Sequence, residues 1–296
     1  MMNVTVIING SRKLSSAAKL ALKLLNAVPE LDVLQIYTEG PKHATFLAIQ
    51  HAEKTDCIVA IGGDGTCNEV VQGIVGSGAD VRFGLIPNGT GNDFLRMLDT
   101  FDPTTFVQNV RDNRSSFIDI GKVTLDGNVR YFANIADVGF GAKVVELMNA
   151  QRKVPLSGKL SYSLAIIRAF FAYKKQRVRL IGDDFEYEGK VLLVAFCNGS
   201  TFGHGLTIHP DAQLNNGKIC IAVIGDVSLF TYFRKLKDLK RGRKIQHQEA
   251  FYFESKSIKV NTMGAQMEME GDGELFGQGI QEVEILPERI CLISSI

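Results

Sequence analysis

Gly62-Gly63-Asp64-Gly65-Thr66 decides how this chain is read. Before it runs Cys57-Ile58-Val59-Ala60-Ile61, an apolar, β-branched stretch short enough to be a buried strand. After it, Cys67, Val70, Val71, Ile74 and Val75 recur at helical spacing and fall on one face. The order strand, glycine-rich turn, helix is where a parallel sheet offers backbone N–H groups to an anion. The glycines allow close backbone approach and positive φ. Thr66 and Glu69 have the capping-box spacing, which places the helix start just past the loop. A phosphate there gains about 0.3–2 kcal/mol from the helix end alone. A βα turn without a ligand has the same local geometry, but the Gly-Gly-Asp-Gly-Thr order after a buried strand favours the phosphate.

Working outward, Val4–Ile8 reads as a first strand with Asn9-Gly10-Ser11 as its turn. Ser15 or Ser16 caps a helix whose apolar positions are Ala17, Leu20, Ala21, Leu24, Leu25 and Val28, and Pro29 stops it. Val33–Tyr37 is a second strand, Thr38-Glu39-Gly40-Pro41 a turn and Ala44–Ala52 a helix. Beyond the glycine loop, Gly76-Ser77-Gly78 breaks the chain and Phe83–Ile86 is another buried strand. It runs into Pro87-Asn88-Gly89-Thr90-Gly91-Asn92-Asp93, a helix carrying Phe94, Leu95 and Leu98, and a further helix over Pro103–Asn113. This alternation predicts a parallel sheet with helices on both faces. From Ser115 onward, short β-rich segments alternate with the turn signals Asp126-Gly127-Asn128, Gly182-Asp183-Asp184, Asn215-Asn216-Gly217 and Asp272-Gly273. They predict an antiparallel sandwich or barrel, interrupted by helix over Ala142–Lys175 with a break at Pro155 to Gly158. The expected fold is an α/β nucleotide-binding domain with a parallel sheet, residues 1–120, and a β-rich second domain, residues 121–296, carrying a helical insertion. The last strand is free to return to the first domain.

Composition excludes several classes. A formal net charge of +1 gives no global field for nucleic acid. Five dispersed cysteines without CxxC spacing read as reduced thiols in a cytosolic protein. The closest histidines, His204 and His209, do not form a zinc pattern. The run Val4–Ile8 is too short, and lacks the cationic lead, for a signal peptide, and no apolar run is long enough to span a bilayer.

Two strand–loop–helix phosphate sites are therefore present, at Gly62–Thr66 and at Pro87–Asp93, where Gly89 and Gly91 open the backbone and Thr90 offers a hydroxyl. On neighbouring strands they would grip one polyphosphate. No GxxxxGK[ST] occurs, so no P-loop lysine steadies the phosphates, and no GxGxxG follows the first strand. Asp64 and Asp93 would repel a bare phosphate; they make sense with Mg²⁺ between carboxylate and phosphate.

These motifs, with Asn9-Gly10-Ser11, Asn68-Glu69, Asp119-Ile120-Gly121, Asn134, Gly139-Phe140-Gly141, Gly158-Lys159-Leu160-Ser161-Tyr162, Asn198-Gly199, Phe202-Gly203 and Asp272-Gly273-Glu274, run along nearly the whole chain. In that order the sequence resembles the diacylglycerol kinase catalytic family, in its soluble bacterial form. Gly-Gly-Asp-Gly-Thr alone is shared with NAD kinases. The resemblance implies a nucleotide-binding α/β domain facing a β-rich domain, with ATP in the cleft. It implies that Asn9, Thr38, Gly62, Gly63, Asp64, Gly65, Thr66, Asn68 and Thr90 line the ATP site and that Asp64 and Asp93 organise the catalytic Mg²⁺. Asp272 and Glu274 match the pair supplying the general base; Glu274 is taken as the base and Asp272 as its support. By local pattern alone, Asp272-Gly273 reads first as a hairpin turn. Three departures stand out. Family members often hold a structural metal at a loop ending Asp-Gly; here the loop is Gln213-Leu214-Asn215-Asn216-Gly217-Lys218, so a site built on Gln213, Asn216 and Lys218 lacks its carboxylate. His204 interrupts a usual glycine triplet, and Cys67 replaces an aliphatic residue on an apolar helix face.

A lipid acceptor raises a solvent problem. Pulling about thirty methylenes into water costs on the order of 24 kcal/mol at about 0.8 each. The enzyme must dock on the membrane or sheathe the chains. Leu160–Tyr173, followed by Lys174-Lys175-Gln176-Arg177, is one candidate contact. The other is Phe230-Thr231-Tyr232-Phe233, followed by a tail with seven basic residues (Arg234, Lys235, Lys237, Lys240, Arg241, Arg243, Lys244) against the single acid Asp238. Such stretches suit an anionic leaflet at about 1 kcal/mol per basic residue. The expectation is a cytoplasmic, ATP- and Mg²⁺-dependent lipid kinase, peripheral at the inner face of the membrane, converting diacylglycerol to phosphatidate, with a homodimer left open. The alternatives are an NAD kinase and a nucleotide-binding regulatory protein without turnover.

Overall fold

The structure, a computed structural model, describes residues 1–89, 91–98, 100–151, 158–203 and 205–293. The N-terminal half alternates β1 (Met2–Ile8), α1 (Ser16–Ala27), β2 (Leu31–Tyr37), α2 (His43–Ala52), β3 (Cys57–Gly62), α3 (Asp64–Ser77), β4 (Arg82–Pro87) and α4 (Pro103–Arg111). Then follow β5 (Ser116–Leu125), β6 (Asn128–Phe132), β7 (Ile135–Gly139), α5 (Phe140–Gln151), α6 (Gly158–Ala172), β8 (Gln176–Ile181), β9 (Glu186–Val191) and β10 (Leu193–Cys197). The chain continues through β11 (Thr201–Phe202), β12 (Leu206–Thr207), β13 (Ile219–Ile224), α7 (Leu229–Lys240), β14 (Ala250–Ser255), β15 (Ser257–Met263), β16 (Met269–Gly271), β17 (Glu274–Gly277) and β18 (Ile280–Leu292).

The period-two geometry of a strand explains the apolar run before the glycine loop. β2, β1, β3 and β4 lie side by side in parallel. Ile58 and Ala60 of β3 pack under α2 and α3, while Cys57, Val59 and Ile61 point to the other face, under α1 and α4. Both faces are covered, so every residue of β3 is buried. The sheet continues past β4. β18 meets β4 in parallel through Leu292 and Phe83 and runs antiparallel to β5 and β15, beyond which lie β8 and β9. A ten-stranded mixed sheet results among the described residues. Its antiparallel half faces a six-stranded sheet ordered β14-β13-β10-β7-β16-β17. Val123, Phe132, Val178 and Val283 from one sheet meet Val138, Phe196, Ile221 and Met269 from the other in a shared core, so the β-rich half is a sandwich.

Several local expectations are corrected. The buried stripe of α1 is Ala18, Ala21 and Leu25, while Ala17 and Leu20 face outward; alanines at both 17 and 18 fit either rotation of the face. Ser15 is the cap, accepting from Ala18 N. The helix expected around Phe94 is one 3₁₀ turn, because Leu98 is already extended at φ −106°, ψ 167°. α3 starts at Asp64, so Asp64, Gly65 and Thr66 are its first turn and not loop. The capping box does not form. Glu69 instead caps α2: its carboxylate accepts from Lys42 N at 2.8 Å and Ala44 N at 3.0 Å. The N-cap position of α2, Lys42 at φ +66°, has no capping side chain of its own. The helical insertion forms as α5 and α6; Pro155 lies outside the described residues.

Candidate active site

β3 and β4 end side by side, and their loops touch. Asn88 N donates to Gly62 O at 2.7 Å. A Cβ on Gly89 would lie 2.5 Å from the Gly63 Cα, so the two loops can approach this closely only as glycines. β1 adds a third edge: Asn9 Nδ2 donates to Thr66 Oγ1 at 2.9 Å, and Asn9 Oδ1 accepts from Ser11. Thr66 thus anchors a neighbouring turn. Thr38 braces the same turn from behind, its hydroxyl accepting from Gly10 N at 3.1 Å, and does not line the cleft. Thr90 and His204 lie outside the described residues.

Asp64 opens α3 and accepts from Phe94 N at 3.4 Å. Burial, and then the neighbouring charge of Asp93, raise its carboxyl above the ordinary range. Asp93 Oδ1 accepts from Gly205 N at 2.9 Å and pairs with Arg96 Nε at 3.3 Å. Two carboxylates near enough for one to oppose ionisation of the other, with Arg96 pairing one of them, form an oxygen-rich site that fits a hard cation such as Mg²⁺.

Asp272 and Gly273 have φ +52° and +85° and join β16 to β17 with Gly271 opposite Glu274. The hairpin reading is therefore right. Asp272 Oδ2 accepts from Asn68 Nδ2 at 3.0 Å and Ala133 N at 2.8 Å; its Oδ1 accepts from Asn134 N and Ile135 N, both at 3.1 Å. A carboxylate has about four lone-pair sites, and all are engaged. Burial still raises this carboxyl, with the donors pulling the other way. Asn68, expected beside ATP, sits buried behind the hairpin and holds Asp272. Glu274 is exposed, and its Oε1 lies 3.5 Å from where a Cβ on Gly65 would begin. The β-rich half thus brings a carboxylate onto the first turn after the glycine loop.

One cavity of about 740 Å³ connects these groups. Its lining includes Asn9, Gly63, Asp64 and Gly89, the hairpin residues Asp272 and Glu274, and an apolar chamber of Phe140, Val144, Ile166, Leu193, Ile224 and Tyr232. Sequence reading missed Arg12, Asp137 and Glu270, which also line it. Arg12 follows the quoted Asn9-Gly10-Ser11 turn directly, a cation beside a phosphate loop; the two acids carry no local signal. Cys67 is buried with its thiol pushed up by burial, which fits packing. His209 is buried edge-on to Tyr252 and is kept neutral by burial, at about 4. In the loop 213–218, Asn216 Oδ1 accepts from Lys218 N, and Lys218 Nζ pairs with Glu254 at 3.1 Å. Asp119 anchors this loop by accepting from Gly217 N at 2.7 Å. Among the described residues no three His, Cys, Asp or Glu side chains gather as a metal site.

Comparison with known proteins agrees with this geometry. Residues 3–123 match the diacylglycerol kinase catalytic domain, and residues 134–294 match the YegS C-terminal NAD kinase beta sandwich-like domain. A diacylglycerol kinase of Bacillus subtilis (strain 168) is 30% identical over 249 residues, covering 81% of this chain and 80% of that protein. One of Staphylococcus epidermidis is 30% identical over 243 residues, covering 81% and 75%. A crystal structure of a diacylglycerol kinase from Bacillus anthracis str. Sterne covers 99% of this chain and 97% of its own at TM-score 0.73; at 20% identity the likeness is one of fold. The chain belongs to the diacylglycerol kinase catalytic-domain family of lipid kinases.

Proposed function

We propose that this protein is an ATP- and Mg²⁺-dependent kinase that transfers the γ-phosphate to a hydroxyl of a membrane lipid, diacylglycerol giving phosphatidate. The observation that carries the reading is the cavity whose lining takes in both glycine loops, Glu274 beside Gly65, and a set of apolar side chains. The loops after β3 and β4 would take the phosphates, and Asp64 with Asp93 would hold Mg²⁺, which would supply neutralisation of phosphate charge there. Glu274 accepts the proton of the lipid hydroxyl as its oxygen bonds to the γ-phosphorus and ADP leaves. A base of this kind contributes about 10²–10⁴-fold in rate. Asp272 is unsuited to that step, because its lone pairs are engaged by four N–H groups.

The helices whose inner faces line the chamber carry exposed aromatics on their outer faces. Phe171 is 79% and Phe230 75% exposed, while Phe170 and Tyr232 beside them pack ring to ring at 6.1 Å. Lys174, Arg234, Lys237, Lys240 and Arg241 are exposed nearby in sequence. Part of the basic tail is spent internally: Lys235 and Arg243 pair with Asp238, and Lys244 with Asp211. The remainder supports docking on an anionic inner leaflet. No helix among the described residues is long and apolar enough to cross a membrane.

The test offers labelled ATP with micelles of diacylglycerol, monoacylglycerol, ceramide, sphingosine or undecaprenol, and separately with NAD. Label in diacylglycerol is expected. Label in NAD with none in any lipid overturns the proposal in favour of the acceptor suggested by the NAD kinase-like sandwich.

A further inference from the structure

Two carboxyls unused by the transfer chemistry line the cleft beneath the hairpin. Asp137 on β7 and Glu270 on β16 stand opposite each other in the antiparallel register. They are 1% and 6% exposed, and each carboxyl bears on the other's ionisation. Ionised carboxylates only accept, so a bond between two of them requires a proton. The other partners are backbone donors. Ala142 N donates to Asp137 Oδ1 at 3.2 Å, and Gly273 N donates to Glu270 Oε2 at 2.8 Å. Asp137 Oδ2 is buried with no hydrogen-bond donor among the described residues, the place that a proton on the Glu270 carboxyl would fill. A Cβ on Gly141 would fall 1.9 Å from that oxygen, so only glycine lets the carboxyl seat against the first turn of α5.

Among the described residues the basic side chains that line the same cavity are Arg12, at the turn after β1, Lys235, which pairs with Asp238, and His247. The ionisable groups that act on the pair are Tyr173 after α6, Tyr232 on α7, Cys197 on β10 and Asp272 in the hairpin, none of them a cation. The charges of α5, Lys143 and Glu146, pair with each other at 2.7 Å, and Glu274 on β17 is exposed. Two ionised carboxylates in such a place repel with little screening.

We infer that Asp137 and Glu270 share one proton at neutral pH and that this proton-linked pair positions the hairpin carrying Glu274. The link is continuous. Glu270 holds Gly273 at the centre of the hairpin, the shared proton ties Glu270 to Asp137, and Asp137 holds the start of α5. Phe140 of α5 lines the acceptor chamber. Loss of the proton sets the two charges against each other. Glu270 can relieve them only by swinging away, which releases Gly273 and with it the placement of Glu274. Both are positioning residues, and the kinetic part of this inference rests on the proposed function.

The first test needs no turnover. Difference infrared spectroscopy of the folded protein should show a protonated-carboxyl C=O band at neutral pH that is lost in Glu270→Gln and in Asp137→Asn. Absence of the band in the folded wild type overturns the inference, whichever acceptor the enzyme uses. The second test is kinetic. Glu270→Ala should lower kcat about tenfold to a hundredfold with the KM for ATP little changed. Glu270→Gln, whose amide donates to Asp137 and accepts from Gly273 without a titrating proton, should restore most of that loss and carry the alkaline limb of kcat beyond the wild type's. An alkaline limb in Glu270→Gln that coincides with the wild type's overturns the positioning role.

Discussion

Asp272→Asn separates anchoring from catalysis. The wild-type carboxylate receives four N–H groups, two on each oxygen. Asparagine keeps one oxygen, which serves two of them, and turns an NH₂ group toward the other two. Each bond to a charged acceptor contributes about 1.5–3 kcal/mol, so losing two costs about 3–6 kcal/mol. That is a large share of the roughly 5–15 kcal/mol that stabilises a domain. Urea unfolding of the variant should show this loss, and a double-mutant cycle with Asn68→Ala should show coupling of about 0.5–3 kcal/mol. Stability within about 1 kcal/mol of wild type would refute the four-donor anchor, because mutational hydrogen-bond losses of this type are larger. It follows that lost transfer in Asp272→Asn says nothing about the base. Glu274→Gln does: the residue is exposed, so stability should stay within about 0.5 kcal/mol while kcat falls about 10²–10⁴-fold.

Gly89→Ala drives a methyl to 2.5 Å from the Gly63 Cα, so the loops must part; ATP affinity, read by titration calorimetry, should fall about tenfold or more, for one mispositioned phosphate contact. Glu69→Ala strips two acceptors from the start of α2 and should cost about 0.5–2 kcal/mol in urea melts, with kcat of the folded enzyme retained. Phe171→Ser with Phe230→Ser should weaken sedimentation with anionic vesicles by about 10²–10⁴-fold, since each inserted phenyl ring contributes about 1.5–3 kcal/mol; turnover of short-chain lipid in micelles should change much less. Burial raises both members of the Asp137–Glu270 pair, so the folded state binds protons more tightly than the unfolded one. Its stabilising contribution is full below the unfolded values, 3.8 for Asp and 4.5 for Glu, and is lost as pH rises through the folded ones, Asp137's being about 6. Urea midpoints should therefore decline as pH rises from about 4 through about 6, and decline less in Glu270→Gln.

The parts of this architecture legible in the sequence are those that local spacing determines. The buried run before Gly62 and the helical face after it require only period two and period 3.6 within about a dozen residues. Asp272-Gly273 was legible as a turn for the same reason. What escaped depends on partners distant in sequence. Glu69 has the right spacing to cap its own helix, yet its carboxylate reaches α2, 25 and 27 residues away. Asn68 lies within a phosphate-loop motif, yet its amide spans 204 residues to Asp272. Asp137 and Glu270 meet only through strand register, which no local pattern encodes. The chain of bonds behind the hairpin was therefore invisible, although the hairpin itself was not.

The size of the cavity bears on where the proposed reaction takes place. Pockets of about 300–1,000 Å³ enclose one drug-sized ligand. The 740 Å³ here serve both the phosphate end of a nucleotide and the acceptor. That leaves room for a headgroup and part of a chain, not for two complete acyl chains beside ATP. Full extraction would expose about thirty methylenes at about 0.8 kcal/mol each, and this cavity cannot sheathe them. The rest of the lipid has to stay in the bilayer while its hydroxyl meets Glu274. The chamber must then open toward the membrane, and the helices α6 and α7 that line it present Phe171 and Phe230 outward. On this argument the exposed aromatics and the limited volume of the chamber are two halves of one solution to the solvent cost. An enzyme with a chamber deep enough for the whole lipid would need no such aromatics on its surface.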